Sequence, residues 1–256
     1  MELSNRIQYG VHLATKNIPV VKRLYPAFRK LVTKYTWVSG FKIKKYKGFY
    51  MLLERNTAIG KFIGIYCGHE LEQTKFFFEN IENCDAFFDI GANVGLYTLE
   101  AAHRRIKEIN AFEPDFRNIN SLHTNLLINE FDDVKVFDIA LSDEIGFVDF
   151  VLEIDKKTDM SRVKTVLDNN LDIVKVKTST LDSMFDYKGK KLALKIDVEG
   201  HEQSVIKGSE NILKNNKCFI QCEAWVINYS SVKETFENLG YREIKRIAND
   251  SYFVNF

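Results

Sequence analysis

Phe88-Asp89-Ile90-Gly91-Ala92-Asn93-Val94-Gly95 decides how this 256-residue chain folds. Its first residues close the apolar run DAFFDI (85–90), which reads as a strand, and GLYTLEAAHRRIK (95–107) continues with helical spacing. Between them the glycines make a tight strand-to-helix turn. Such a turn lets backbone approach a ligand closely, and the helix start offers unsatisfied N–H groups. A glycine-rich turn alone says little, because any tight connection of this kind wants glycine. Here an apolar strand precedes it, Asp89 sits within it, and Glu113 ends the next strand, INAFE (109–113). That acidic residue lies roughly 20 residues beyond the turn, the spacing at which a carboxylate meets ribose hydroxyls.

The constellation suits an adenosine ligand, either a dinucleotide or S-adenosylmethionine. The turn reads G-A-N-V-G and lacks the middle glycine of G-x-G-x-x-G that admits a pyrophosphate, so S-adenosylmethionine is favoured over NAD.

Outward from this turn the alternation repeats. A helix runs to about residue 129, VKVFDI (134–139) is a third strand and LALKID (192–197) a fourth. A helix with Val205, Ile206, Ile212 and Leu213 on one face follows, then KCFIQCEAW (217–225) as a fifth strand. Strands alternating with helices predict an α/β fold with a mostly parallel, Rossmann-like sheet. YREIKRI (241–247) and YFVNF (252–256), joined by Ala248-Asn249-Asp250-Ser251, predict a terminal antiparallel hairpin. Upstream, FKIKKYKGFYMLLE (41–54) reads as a hairpin turning at Lys47-Gly48, and 71–81 as a short helix. The polar stretch 153–175 interrupts the rhythm and is either a lid near the strand carboxyl ends or a surface loop.

Composition bounds the rest. With 36 Lys+Arg against 35 Asp+Glu, the chain lacks the basic footprint of a nucleic-acid binder, and no nucleic-acid partner is expected. At 45% hydrophobic residues it is an ordinary globular chain, divided here into an N-terminal extension (1–70) and a main domain (71–256). Residues 1–35 carry basic and apolar residues at helix-like spacing, broken by Pro19 and Pro26. They read first as a helical cap or as the arm of a homodimer, and second as a peripheral membrane contact. Lys16 and Asn17 interrupt any signal-peptide core, and no apolar run reaches 18 residues. Cys67, Cys84, Cys218 and Cys222 are few and irregularly spaced, so free thiols in a reducing cytoplasm are expected.

A second chemical cluster is Asp197-Val198-Glu199-Gly200-His201-Glu202. Asp197 ends a strand, where ligands bind in open α/β sheets, and Glu223 ends the neighbouring one. Carboxylates and an imidazole converging there suit a general base or a divalent metal held by Asp197, Glu223 and His201. For His201 the plain alternative is a solvent-facing helix start, and for Glu199 a carboxylate that merely stabilises a helix N-terminus. Trp225 and Tyr97 read as core residues first and as sugar-stacking platforms second.

FDIGANVGLYTLEAA, AFEPDFRNINSLHTNLLINE, ALSDEIG and LKIDVEGHEQSVIKG, in that order, resemble the FkbM family of S-adenosylmethionine-dependent methyltransferases over about residues 70–225. The resemblance implies a class I methyltransferase fold and O-methylation of a sugar, in a nucleotide-activated sugar or a capsule or surface polysaccharide precursor. It implies that Asp89, Gly91, Ala92, Asn93 and Gly95 hold the methionine and ribose part of the cofactor, and Glu113 the ribose hydroxyls. Ala140, Leu141 and Ser142 resemble the adenine-side loop. Asp197 would face the methyl donor or acceptor, with His201 or Glu223 assisting catalysis, and His69, Glu70 and Glu199 would face the substrate. The family usually has a small residue where this chain has His201. An NAD-dependent oxidoreductase and a non-catalytic methyltransferase-like binding module remain the alternatives.

Overall fold

The computed structural model describes residues 40–55, 57–64, 69–152, 161–163 and 172–256. The expectations for 1–35 and Cys67, and most of those for 153–175, lie outside the described residues.

The described chain opens with a hairpin of β1 (Phe41–Tyr46) and β2 (Phe49–Glu54), then α1 (Ala58–Gly64) and α2 (Leu71–Asn80). Next come β3 (Ala86–Ile90), α3 (Leu96–His103), β4 (Ile109–Phe112), α4 (Phe116–Asn129) and β5 (Lys135–Phe137). A small sheet interrupts: β6 (Ala140–Leu141), β7 (Gly146–Leu152), β8 (Arg162–Val163) and β9 (Asp172–Ser179), followed by α5 (Leu181–Met184). The chain then resumes with β10 (Lys191–Ile196), α6 (Glu202–Lys207), α7 (Glu210–Asn215), β11 (Lys217–Glu223), α8 (Tyr229–Asn238), β12 (Arg242–Ile247) and β13 (Asp250–Val254).

The main sheet has seven strands in the order β12-β13-β11-β10-β3-β4-β5. β11, β10, β3, β4 and β5 are mutually parallel, and β13 inserts antiparallel between β11 and β12. This is the mostly parallel α/β sheet with a C-terminal antiparallel hairpin that the sequence predicts. Strands so placed are buried on both faces, which is why β3 is wholly apolar apart from Asp89 and why β10 is buried after its first residue. One face packs Phe87, Ala111 and Phe219 against Phe77, Tyr97 and Leu122. The other packs Phe88, Leu194 and Ile220 against Val205, Leu213 and Phe236. The hairpin side chains Phe49, Met51 and Leu53 belong to the first of these clusters. Helix α4 holds β2 by its edge: Leu52 N donates to Asn125 Oδ1 at 2.6 Å, and Asn129 Nδ2 to Tyr50 O at 2.7 Å.

Two local expectations are corrected. The terminal hairpin turns on two residues, since Ile247 pairs with Asp250 and Asp250 and Ser251 are buried strand residues. Gln221 Nε2 donates to Asp250 Oδ1 at 2.8 Å and draws that carboxylate into the sheet. The stretch 172–175 is strand, not loop: residues 172–178 of β9 pair antiparallel with β7, in the small sheet ordered β6-β9-β7-β8.

Cys218 and Cys222 are buried on β11, where burial pushes both thiols upward, and Cys84 is free and partly buried. Among the described residues no helix is long and apolar enough to cross a membrane.

Candidate functional site

The strand order reverses at β3, with β4 on one side and β10 on the other, so a crevice opens at their carboxyl ends. An open cleft of about 610 Å³, counting the solvent at its mouth, occupies this crevice. Gly91, Asn93, Glu113, Asp197, Glu199 and His201 supply its polar wall, and Ile139, Leu141, Phe150 and Val163 an apolar one.

The glycine turn is fixed by its surroundings. Gly91 has φ of 83°, and a Cβ there would lie 1.8 Å from the Asp197 carbonyl oxygen, so only glycine lets β3 exit beside β10. At Gly95, φ of 93°, a Cβ would meet Leu122 Cδ1 at 2.3 Å, so this glycine seats α3 against α4. Gly91 N and Ala92 N both donate to Phe112 O, at 3.0 and 2.9 Å. Gly91 and Asn93 line the cleft, whereas Ala92 is packed in the core and, like Gly95, lies outside the lining.

Glu113 is buried where it lines the cleft. Its Oε2 accepts from Asn93 N at 2.8 Å, and its Oε1 from Asp115 N at 2.8 Å and Asn118 Nδ2 at 3.5 Å. Burial, seconded by the Asp115 charge, lifts its pKa to about 7 against the pull of those N–H donors. Asp89, level with Ala111 on β4, is almost fully buried in the sheet and lies outside the cleft lining. Its Oδ2 accepts from Thr98 Oγ1 at 2.5 Å, while Oδ1 has no hydrogen-bond partner among the described residues. Burial raises Asp89, opposed by the Lys195 charge.

Lys195 is a centre of the site that sequence reading passed over. It pairs in register with Asp89 on one side and Gln221 on the other, and it is buried. Its Nζ donates to Asp197 Oδ2 at 2.8 Å and lies 4.9 Å from the centre of the Tyr97 ring. Burial alone would lower the lysine, yet the charges of Asp197, Asp89 and Glu70 hold its pKa above the usual value. Glu70 reaches the same centre from the start of α2. Burial would raise it, but His69, 3.3 Å away, and the Lys195 charge hold it down at about 2. A lysine inside the buried strand LALKID was the available signal, since lysine is almost never buried unpaired.

Past β10 the chain turns through Glu199, φ 53°, and Gly200, φ 101°. Asp197, Glu199 and Glu223 each bring a carboxylate oxygen within 4.8 Å of the others. Burial, then the Asp197 charge, raises Glu199 to about 7. Burial, then the Asp197 charge, raises Glu223 well above the usual carboxylate range. His201 is not part of this group, contrary to the expected ligand set. Its Nε2 is 3.0 Å from Ser142 Oγ, so α6 turns the ring toward the loop after β6. Burial holds its pKa below the ordinary histidine value and keeps it neutral near pH 7.

Ala140 and Leu141 line the cleft as strand β6, and Ser142 sits behind them, buried. Tyr97 is a core residue whose hydroxyl accepts from Gln221 Nε2 at 2.8 Å, which removes it from any stacking role. Trp225, two residues past Glu223, is 48% exposed.

The methyltransferase FkbM domain model matches residues 89–248, well over half of the chain. No curated protein matches it. Among solved structures, the chain is similar to the methyltransferase FkbM from Methylobacillus flagellatus KT, at 14% identity and a TM-score of 0.46, covering 91% of this chain and 59% of that one. It is similar to TYW2 from M. jannaschii in complex with AdoMet at 13% identity and a TM-score of 0.43, covering 86% of each chain. Similarity to precorrin-6y C5,15-methyltransferase from Geobacter metallireducens GS-15 is 12%, with a TM-score of 0.42 and coverage of 72% and 87%.

Proposed function

Because this chain belongs to the methyltransferase FkbM domain family, we propose that it is an S-adenosylmethionine-dependent O-methyltransferase. Its acceptor is a hydroxyl of a sugar, in a nucleotide-activated sugar or a capsule or surface polysaccharide precursor. The observation that carries the cofactor reading is Glu113: a buried carboxylate that ends β4, clasps Asn93 of the glycine turn and still lines an open cleft. Among the described residues its Oε2 accepts only from Asn93 and keeps a second lone pair for a ribose hydroxyl, while Oε1 is held by Asp115 and Asn118.

The donor set fits S-adenosylmethionine on three counts. Ile139, Leu141, Phe150 and Val163 offer an apolar slot to a flat base. Gly91 and Asn93 of the glycine turn line the cleft and bring backbone close to a bound ligand. Asp197 and Glu199 line the cleft with carboxyl oxygens, acceptors suited to the ammonium of the methionine part.

When bound, S-adenosylmethionine supplies a methyl group already activated by its sulfonium sulfur. The protein's own task is then alignment and proton removal. Glu199 is the proton acceptor this geometry favours, because it lines the cleft and its pKa of about 7 matches neutral pH. Its left-handed backbone, sparsely populated for a non-glycine residue, is the kind of strain held at functional positions. Asp197, anchored by Lys195, lines the cleft beside Glu199, and the Glu223 carboxyl lies within 4.8 Å of both. Half-exposed Trp225, two residues past Glu223, offers a face for a sugar ring. His69 and Glu70 act through the Lys195 centre.

Transfer of radiolabelled methyl from S-adenosylmethionine to a panel of nucleotide sugars and polysaccharide fragments tests the function. Labelled sugar products support it, and labelling of amine acceptors alone would overturn the O-specific reading. A divalent cation held by Asp197, Glu199 and Glu223 is the second reading of that corner, favoured by their mutual approach within 4.8 Å. Turnover that survives EDTA unchanged would remove an essential exchangeable metal.

A further inference from the structure

His201 stands at the end of a chain of polar groups whose proton positions are fixed by chemistry. Lys207 Nζ donates to Asp143 Oδ2 at 2.8 Å, keeping that carboxylate ionised. Ser142 Oγ donates to Asp143 Oδ1 at 3.1 Å, because a carboxylate only accepts. The hydroxyl's single proton is thereby committed. Toward His201, 3.0 Å away, Ser142 Oγ therefore accepts, and Nε2 of the neutral imidazole carries the ring proton. Nδ1 is left as a bare acceptor without a hydrogen-bond partner among the described residues.

The ring lies against the cleft wall that suits a base. Ser142 directly follows Leu141, which with Ile139, Phe150 and Val163 makes the apolar slot, and His201 lines the same cleft. A flat heterocycle in that slot presents a polar edge to the imidazole. Adenine offers an N–H donor at its exocyclic amine, whereas hypoxanthine and guanine offer a carbonyl oxygen at that position. We propose that His201 reads the adenine amino group by accepting its N–H at Nδ1, so that Lys207, Asp143 and Ser142 select the base by fixing the imidazole tautomer. The assignment presupposes S-adenosylmethionine as the cofactor and makes His201 a specificity residue, not a base or a metal ligand. A ligand carbonyl placed against a bare nitrogen leaves two acceptors facing each other, with no proton to share.

Calorimetric titration with S-adenosyl-L-homocysteine and with S-inosyl-L-homocysteine, which differ at that one group, tests this. Wild-type protein should prefer the adenosyl compound by about 10- to 100-fold. In His201→Ala the preference should fall below about threefold, because no acceptor remains. Ser142→Ala should narrow the preference too, since a freed imidazole can carry its proton on Nδ1 and donate to the inosyl oxygen. Far-ultraviolet circular dichroism and the thermal midpoint establish that both variants are folded. Should His201→Ala misfold, Ser142→Ala alone decides, and an undiminished preference there overturns the proposal. A preference unchanged in folded His201→Ala overturns it while leaving the cofactor reading intact. Wild-type protein that binds neither compound overturns both.

Discussion

Lys195→Met removes the cation at the centre of the site while keeping a side chain of similar length. In the native protein its Nζ is 2.8 Å from Asp197 Oδ2, and Asp89 and Glu70 lie within its field. Breaking a buried pair by deleting one partner typically costs about 3–5 kcal/mol, because the remaining charge is left uncompensated. A loss at the upper end is expected here, since Asp89 Oδ1 already lacks a partner among the described residues. The loss should depend on pH, with a defined sign. Asp89 sits above its ordinary pKa through burial, and Lys195 is what opposes the rise. Without Lys195 the folded-state pKa climbs further. Between about pH 4, where the unfolded aspartate titrates, and that new value, the native variant binds more protons than its unfolded chain. Stability of the variant therefore falls as pH rises through this window, by up to about 1.4 kcal/mol per pH unit. Urea unfolding of both proteins at pH 5 and pH 8 measures the effect. The gap between wild type and variant should be wider at pH 8. A gap under about 1 kcal/mol, or one equal at both values, would refute the central role given to Lys195.

Two further outcomes follow from the cleft. If Glu199 takes the acceptor proton, its pKa of about 7 makes kcat/KM fall about tenfold per pH unit below neutrality, since the protonated carboxyl cannot accept. Glu199→Gln should remove that limb and cut turnover by about 10²- to 10⁴-fold; a variant keeping both the limb and the rate would assign the base elsewhere. Gly91→Ala must move backbone, because the added carbon would sit 1.8 Å from the Asp197 carbonyl oxygen. A loss of at least about 2 kcal/mol in chemical denaturation is expected, and a neutral substitution would contradict the turn geometry.

Much of this architecture was legible because its signals are local. The strand-turn-helix rhythm from residue 85 onward follows from apolar runs of strand length and glycines where the chain turns, and it yields the parallel strands in their observed roles. The place of Glu113 at the end of β4, on the cleft, was legible from its strand context and its spacing after the glycine turn. What escaped were features set by residues far apart in sequence. The meeting of His201 with Ser142 joins positions 59 apart, and no local pattern announces it. Without that partner, His201 read as a companion of Asp197 and Glu223. Lys195 was hidden inside an apolar strand, where a single charge looked like noise and not like the counter-ion of Asp89, Asp197 and Glu70. The strand at 172–179 was missed because its first residues, Asp172-Ile173-Val174-Lys175, are all exposed and do not alternate apolar with polar, so no strand pattern marks its start. The same effect hid the first half of the terminal strand β13, where Asp250 and Ser251 look like turn residues but are buried by pairing.

The central claim is that this cleft binds S-adenosylmethionine through Glu113. Calorimetric titration with S-adenosylmethionine and, separately, with NAD tests it most directly, in wild type and in Glu113→Ala. The account predicts saturable binding of S-adenosylmethionine alone, weakened by about 10- to 100-fold in the variant as charge-assisted hydrogen bonds to the ribose are lost. Binding of NAD in preference to S-adenosylmethionine, or affinity for S-adenosylmethionine that ignores Glu113, would contradict it.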